Sequence, residues 1–118
     1  MNELPVLDPQ PLRDLLELGA SPALVQELIS LYQEDVPVRV GLLQSALCAR
    51  DGGQVAQEAH QLKGALGNLG LVRFAGQAAH AEILARQGRL EELIPLVEAL
   101  PTAYREALAA LKAAFPET

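Results

Sequence analysis

The sequence predicts an all-α fold, an antiparallel up-down four-helix bundle with one short extra N-terminal helix. Half of the 118 residues are hydrophobic, which is enough to build the core of a single domain over residues 1–118. Aromatic residues are scarce while Ala, Leu, Gln and Glu abound, a composition that favours helices over a β-sandwich or barrel. Apolar residues also recur at helical spacing along most of the chain.

The first helix is short. Asp8 and Pro9 are typical of an N-cap followed by proline at the first helical position, and Gly19 supplies a stop signal. These signals predict a helix over about 9–18, which is expected to lie across one end of the bundle.

The second helix is long. Ser21 and Pro22 repeat the start signal, and an apolar period continues to predict a helix over about 22–50. Pro37 interrupts the period without ending it and predicts a kink. The residues expected to face the core are Leu24, Leu28, Leu31, Tyr32, Val36, Leu42, Leu43, Ala46 and Leu47.

The next two helices are bounded by a cap and two glycines. Asp51 is expected to cap a helix over about 52–69, and Gly70 can take the positive φ that closes it. The following helix is predicted over about 71–87, with Gly88 as its stop. The connection between the two is so short that they should be antiparallel neighbours.

The last helix is predicted over about 90–114, because apolar residues keep spacings of three or four throughout that segment. Pro95 falls in its first two turns, where proline is tolerated, whereas Pro101 is deeper and should bend it.

Charge and cysteine content limit the function. A net charge of −6 disfavours nucleic acids and anionic membranes as partners. The single cysteine, Cys48, cannot form an internal disulfide and is expected to be a small core residue. No apolar stretch is long enough to span a membrane and no secretion signal is found, so a cytoplasmic location is expected. A monomer is expected because no helix shows a second apolar stripe.

One helix face carries the candidate chemistry. His60 points away from the apolar side of its helix, Lys63 and Gly64 follow at the neighbouring positions, and Gly67 lies one turn further. Each helical glycine costs about 1 kcal/mol relative to alanine, so something must compensate. Either a second protein approaches His60 over this low surface, or the glycines allow a neighbouring helix to pack closely.

A carboxylate is expected near this histidine. Glu82 lies at the edge of the core-facing stripe of its helix, where antiparallel packing would bring it close to His60. Alternatively, Glu82 forms a solvated pair with Arg86 one turn on. His80 is expected on the surface, and the histidines lack the Glu-x-x-His spacing of a di-iron bundle, so no metal site is predicted.

One stretch resembles the signature of the histidine phosphotransfer (HPt) domains of multi-step bacterial phosphorelays. It reads Ala59-His60-x-Leu62-Lys63-Gly64-x-x-x-x-Leu69-Gly70. The likeness extends to the segment Asp35-Val36-Pro37, to Asp51 and to the helix that carries Glu82, so it covers nearly the whole chain. It implies the family's bundle fold and a role in phosphoryl transfer.

The resemblance also implies roles for single residues. His60 matches the phosphoacceptor, Lys63 the lysine that steadies the phosphoryl group, and Gly64 the glycine that clears space for a receiver domain. Glu82 stands where the family often has Gln or another polar residue, and it is expected to orient the imidazole of His60. The partner-binding surface is expected to include Gln57, Gly64, Gly67 and Arg86.

Three functions remain open. The first is a phosphocarrier that accepts a phosphoryl group on His60 from a receiver-domain aspartyl phosphate and passes it to another receiver aspartate. The second is the phosphoacceptor module of a larger kinase, phosphorylated directly from ATP, and the third is a helical scaffold whose histidine is unused. No nucleotide-binding loop motif is present, so a carrier rather than an enzyme is expected. The expected partners are response-regulator receiver domains and a sensor or hybrid histidine kinase. No cofactor is expected on this chain, because Mg²⁺ would be held by the receiver.

Overall fold

The structure, a computed structural model, describes residues 4–117 and contains no β-strand within that range. Its helices are α1 (Gln10–Glu17), α2 (Pro22–Cys48), α3 (Gly52–Asn68), α4 (Val72–Arg86), α5 (Leu90–Glu98) and α6 (Leu100–Ala114). The four members of the bundle are α2, α3, α4 and, as the fourth, α5 and α6 together. The short extra helix is α1. The predicted fold class is confirmed.

Short polar side chains determine where the helices begin. The Ser21 hydroxyl accepts a hydrogen bond from the amide three residues on at 3.3 Å, and the Asp51 carboxylate does the same at 3.1 Å. These bonds satisfy amides that the first turn of a helix leaves unpaired. Asp8 instead accepts from the amide of Gln10 at 3.0 Å, so α1 begins at Gln10, one residue later than predicted.

The turn between α3 and α4 depends on Gly70. Its φ is +79°, and a Cβ built there would collide with the carbonyl oxygen of Asp8. The amide of Asp8 in turn donates to the Gly70 carbonyl at 2.8 Å. The segment before α1 is thereby attached to this turn, and α1 packs through the fully buried Leu12.

The core face of α2 differs from the prediction. Leu24, Leu31 and Leu42 were expected in the core but are 38%, 53% and 52% exposed. The buried residues of α2 are Val25, Ile29, Tyr32, Val36, Val40, Leu43 and Ala46. Apolar residues surround most of α2, so their spacing allows two stripes, and packing against α3 and α6 selects one. Leu24, Leu31, Val38 and Leu42 therefore form a second apolar stripe of α2 on the surface. This stripe removes the reason for expecting a monomer.

Cys48 is exposed, so its predicted place in the core is wrong. At about 100° per residue, its side chain lies roughly 160° from Ala46 and roughly 140° from Leu43, both of which are buried. The last turn of α2 therefore directs Cys48 to the outer face.

The single helix predicted over 90–114 is two helices, α5 and α6, which meet at Ala99. Pro101 has no amide to donate to the Val97 carbonyl and its ring crowds that carbonyl, so the chain breaks here where only a bend was expected. Pro101 stands in the first turn of α6, where a missing donor is tolerated. By contrast, α2 runs through Pro37 without a break.

Candidate functional site

His60 lies at the middle of α3 with 62% of its side chain exposed. The other side of the helix packs into the core through the fully buried Val55, Ala59, Leu62 and Leu66. Because a helix turns about 100° per residue, this buried stripe holds α3 in place and leaves His60 on the outer surface. A rigid element therefore carries an imidazole that a second protein can reach.

Glu82 is the only buried polar or charged residue among residues 4–117. It follows the fully buried Ala81 on α4 and has 11% of its side chain exposed at the α3–α4 interface. A carboxylate placed there is unfavourable unless hydrogen-bond donors compensate for the lost water. Side chains from both helices supply these donors.

Three side chains converge on the Glu82 carboxylate. Lys63 Nζ donates to Oε1 at 2.9 Å, and Arg86 donates to Oε2 from Nη2 at 2.7 Å and from Nε at 3.0 Å. Nδ1 of His60 lies 3.1 Å from Oε2 and 3.3 Å from Oε1. We call His60, Lys63, Glu82 and Arg86 the His60 cluster. The structure thus contains both contacts considered for Glu82, the one to His60 and the one to Arg86.

The charge state of Glu82 determines which ring nitrogen of His60 carries hydrogen. Hydrogen bonds from Lys63 and then from Arg86 lower the pKa of Glu82 from 4.5 to about 2, although burial acts in the opposite direction. An ionised carboxylate only accepts hydrogen bonds, so Nδ1 of His60 must be the donor in this contact. In a neutral imidazole this leaves the lone pair on Nε2, at the far edge of the ring.

The glycine strip beside His60 consists of Gly64 and Gly67, which are both exposed. Apart from its own helical turn, no heavy atom of residues 4–117 lies within 4 Å of a Cβ built at either position. Close packing of a neighbouring helix therefore does not require these glycines. Their low surface stays open beside the imidazole.

A cleft of about 500 Å³ separates α2 from α3 next to this strip. Leu28 and Leu31 line it from α2, and Ala65 and Leu69 line it from α3. Leu31 also belongs to the second apolar stripe of α2, so the stripe reaches the cleft, whose α2 side also carries Glu34 and Asp35. Leu31 was expected in the core, so the apolar spacing did not predict this surface.

Arg39 connects α2 to the residue that follows His60. Its Nε donates to Asp35 at 2.5 Å, and its Nη1 donates to the side chain of Gln61 at 3.1 Å. Neither Arg39 nor Gln61 was predicted to be part of the site. The sequence indicates only the contact between Arg39 and Asp35, through their i, i+4 spacing, and that spacing is common on helix surfaces.

The remaining candidates lie around the cluster. Gln57 is exposed one turn before His60 on the same face of α3. His80 is exposed on α4, outside the cluster. Within residues 4–117, no three His, Cys, Asp or Glu side chains are grouped so that they could hold a metal ion. The same part of the chain contains no helix whose length and apolar character would let it cross a membrane.

Curated relatives share part of this sequence. The chain is 35% identical over 66 residues to the aerobic respiration control sensor protein ArcB of Escherichia coli (strain K12). The same identity over the same length is found with ArcB of Shigella flexneri. Each alignment covers 56% of this chain but only 8% of the relative. The likeness is therefore to a small part of a much larger sensor protein.

A solved structure matches over almost the whole length. The chain is 28% identical to the histidine-containing phosphotransfer protein B (HptB) of Pseudomonas aeruginosa PAO1, with a TM-score of 0.78 and 96% of both chains covered. The family model of the Hpt domain matches residues 27–114, a range that includes the whole His60 cluster. The chain therefore belongs to the Hpt family of histidine phosphotransfer domains.

Proposed function

We propose that this chain is a phosphocarrier that accepts a phosphoryl group on Nε2 of His60 from a receiver-domain aspartyl phosphate and passes it to another receiver aspartate. The observation that carries the proposal is the exposed imidazole whose Nδ1 is held by Glu82. That contact orients the ring and leaves the lone pair of Nε2 for attack on phosphorus. The glycine strip supports the proposal, because it leaves room for a second protein beside the ring.

Phosphoryl transfer depends on alignment and charge stabilisation more than on covalent chemistry by the protein. Lys63 supplies a positive charge one helical turn from His60, and 39% of its side chain is exposed. It can move from Glu82 toward the phosphoryl oxygens as negative charge arrives. Mg²⁺ and the acidic pocket are contributed by the receiver, so this chain carries the phosphoryl group and makes no use of ATP.

The receiver domain is proposed to dock across the glycine strip and the apolar surface of α2. Gln57, Gly64 and Gly67 border His60 on α3, and Arg86 borders it on α4 with 61% of its side chain exposed. The apolar cleft continues this surface, since Ala65 directly follows Gly64. We assign the stripe to a receiver and not to a second copy of this chain, so the free protein should sediment as a monomer.

The proposal is tested by transfer from a phosphorylated receiver domain. His60→Gln should abolish labelling and leave the helical content unchanged, because the His60 side chain is mostly exposed. His80→Gln is the matched control, since it removes an exposed histidine outside the cluster and should transfer normally. Labelling that persists in His60→Gln would refute His60 as the acceptor.

One observation favours a second candidate function. The curated relatives are sensor proteins, and the matched segment is a small part of their length. A module of that kind can receive its phosphoryl group directly from a kinase catalytic domain. Labelling with ATP and the kinase domain alone, without any receiver, would support this alternative, and the absence of labelling by either route would indicate a scaffold.

A further inference from the structure

We infer that Glu82 keeps a proton on Nδ1 of phosphorylated His60, so that the ring leaves as neutral imidazole when the phosphoryl group is passed on. The inference rests on the proposed function and adds a determinant of how long the phosphohistidine survives. Glu82 is a positioning residue in this role, because it contacts the imidazole on the side away from phosphorus.

The contact between Glu82 and the ring is favourable only while Nδ1 carries hydrogen. Both carboxylate oxygens lie close to Nδ1, at 3.1 and 3.3 Å. A lone pair on Nδ1 would face an ionised carboxylate and be repelled, whereas a hydrogen there is shared with it. Arg86 holds the carboxylate in place through two hydrogen bonds to Oε2, and only 11% of the Glu82 side chain is exposed, so Glu82 cannot turn away to water when Lys63 turns to the phosphoryl group.

Loading leaves this proton where it is. The lone pair of Nε2 forms a bond to phosphorus while the bond from phosphorus to the aspartyl oxygen breaks, and that electron pair stays on the receiver carboxylate. Nδ1 keeps its hydrogen throughout. The product is a phosphorylated imidazolium ring whose positive charge faces Glu82.

Unloading uses the same proton. An oxygen of a receiver aspartate attacks phosphorus, the P–N bond breaks, and its electron pair returns to Nε2. The departing ring is neutral imidazole because Nδ1 is already protonated, whereas a ring without that proton would have to leave as an imidazolide anion. Hydrolysis follows the same course with water as the attacking group, and the water's surplus proton goes to solvent. A proton held in place by Glu82 therefore accelerates both reactions.

The other charges around the ring do not reverse this effect. Lys63 on α3 and Arg86 on α4 oppose a positive imidazole, but Arg86 is bound to the Glu82 carboxylate. Lys63 is bound to that carboxylate in the free protein and turns to the phosphoryl oxygens on loading, so its charge faces an anion in both states. On the α2 side, Arg39 is paired with Asp35 and reaches the site only through Gln61. The phosphoryl group adds negative charge of its own beside the ring, which also favours the protonated form.

The test loads the full chain with phosphoramidate, a small phosphoryl donor that needs no protein partner. The half-life of the phosphohistidine is then measured between about pH 5 and about pH 9, a range that brackets the ordinary titration of imidazole. The wild-type half-life should stay nearly constant from about pH 6 to about pH 8. In Glu82→Gln the amide can donate to a bare Nδ1, so the half-life should rise with pH. By about pH 8 it should be about tenfold longer than wild type, less than the full effect of a positioned acid because the amide still contacts the ring.

Glu58→Gln is the matched control, since it makes the same substitution on α3 at a carboxylate that accepts from Gln54 at 2.8 Å and lies about 160° from His60 around the helix, and it should retain the flat profile. Nitrogen NMR of phosphorylated wild type at about pH 8 should show hydrogen on Nδ1, a result that does not depend on any variant folding. An unprotonated Nδ1 in wild type, or parallel pH profiles for wild type and Glu82→Gln, would overturn the inference alone. If neither phosphoramidate nor a phosphorylated receiver labels His60, the proposed function fails as well.

Discussion

At the scale of single residues, Glu82 links the site to the stability of the bundle. Its carboxylate is the buried charge between α3 and α4, and donors from both helices meet on it. The pKa of its carboxyl is about 2 in the folded chain, against an ordinary value of 4.5. A carboxyl whose pKa is lowered by folding stabilises the folded state above its ordinary pKa, and that stabilisation is lost as pH falls toward the folded value.

Glu82→Gln should therefore destabilise the fold in a pH-dependent way. Lys63 and Arg86 remain partly solvated, so the lost hydrogen bonds should amount to about 1–2 kcal/mol at neutral pH. Denaturant unfolding should show this difference above about pH 4.5, and the difference should disappear as the pH approaches about 2. A difference that stays constant down to pH 2 would mean that the charge of Glu82 is irrelevant to stability.

Part of this cluster could be predicted from spacing alone. Helical geometry places Glu82 about 50° from the centre of the apolar stripe of α4, which is enough to put it beside the facing helix. The convergence of Lys63 and Arg86 on that same carboxylate could not be predicted. It depends on side-chain rotamers and on the register between α3 and α4, neither of which appears in the spacing of residues along one helix.

At the scale of secondary-structure elements, α3 combines a buried stripe with an exposed glycine strip. Gly64 has helical neighbours on both sides and open space around its Cβ position, so a side chain there would fit without strain. Any residue with a better helix propensity should stabilise α3. We therefore propose that the glycine leaves room for a partner that approaches the helix from outside.

Gly64→Gln should raise stability and lower phosphotransfer. The gain in helix propensity should be several tenths of a kcal/mol up to about 1 kcal/mol, while the long side chain blocks the approach to His60. Gly41→Gln in α2 is the control, because its Cβ position is also open and faces away from Arg39; it should stabilise without loss of transfer. Thermal unfolding and transfer rates from a phospho-receiver measure the two effects, and a joint loss of stability and transfer in Gly64→Gln would contradict this explanation.

The proposed docking of a receiver on the second apolar stripe of α2 can be tested separately. Leu24, Leu31, Val38 and Leu42 fall within about 40° of one another and well away from the core side. Leu31→Lys should weaken receiver docking by about 1–2 kcal/mol, roughly a tenfold loss in affinity, while the fold is retained because Leu31 is 53% exposed.

Ile83→Lys on α4 provides the comparison, since Ile83 is also 53% exposed. Titration of each variant with a receiver domain distinguishes docking on the α2 side from docking on the α4 side. Equal losses in both variants, or a dimer in the free wild-type protein, would show that the stripe has a different occupant.

The elements differ in how well the sequence predicts them. Both ends of α4 lie within one residue of the prediction. Gly70 before the helix and Gly88 after it take positive φ, a conformation that an α-helix cannot continue through. The prediction of the core face of α2 was wrong. This helix has apolar residues on both sides, and tertiary packing decides which side is buried. The break at Ala99 was not predicted. The spacing of apolar residues continues across it, and that spacing does not show the hydrogen bond that Pro101 cannot make.

At the scale of the whole molecule, the bundle is acidic, but around His60 the three cations outnumber the two carboxylates that they contact, Asp35 and Glu82. The net charge is −6 with nine Lys and Arg residues in the chain, and three of these, Arg39, Lys63 and Arg86, lie around the His60 face. The bundle measures 44 × 27 × 22 Å, and His60 lies at the middle of α3. We therefore expect the proposed phosphoryl-bearing partner to be repelled less at this flank of the bundle than by the more acidic surface elsewhere.

We propose that Nε2 of His60 receives the phosphoryl group while Glu82 holds Nδ1. Nitrogen and phosphorus NMR of the histidine-labelled chain, recorded before and after transfer from a phosphorylated receiver domain, tests both parts of this proposal in one experiment. We expect hydrogen on Nδ1 of His60 in the free protein when the imidazole is neutral, phosphorus coupling at Nε2 of His60 after transfer, and an unchanged spectrum for His80. Phosphorus on Nδ1, on His80, or on neither histidine would contradict it.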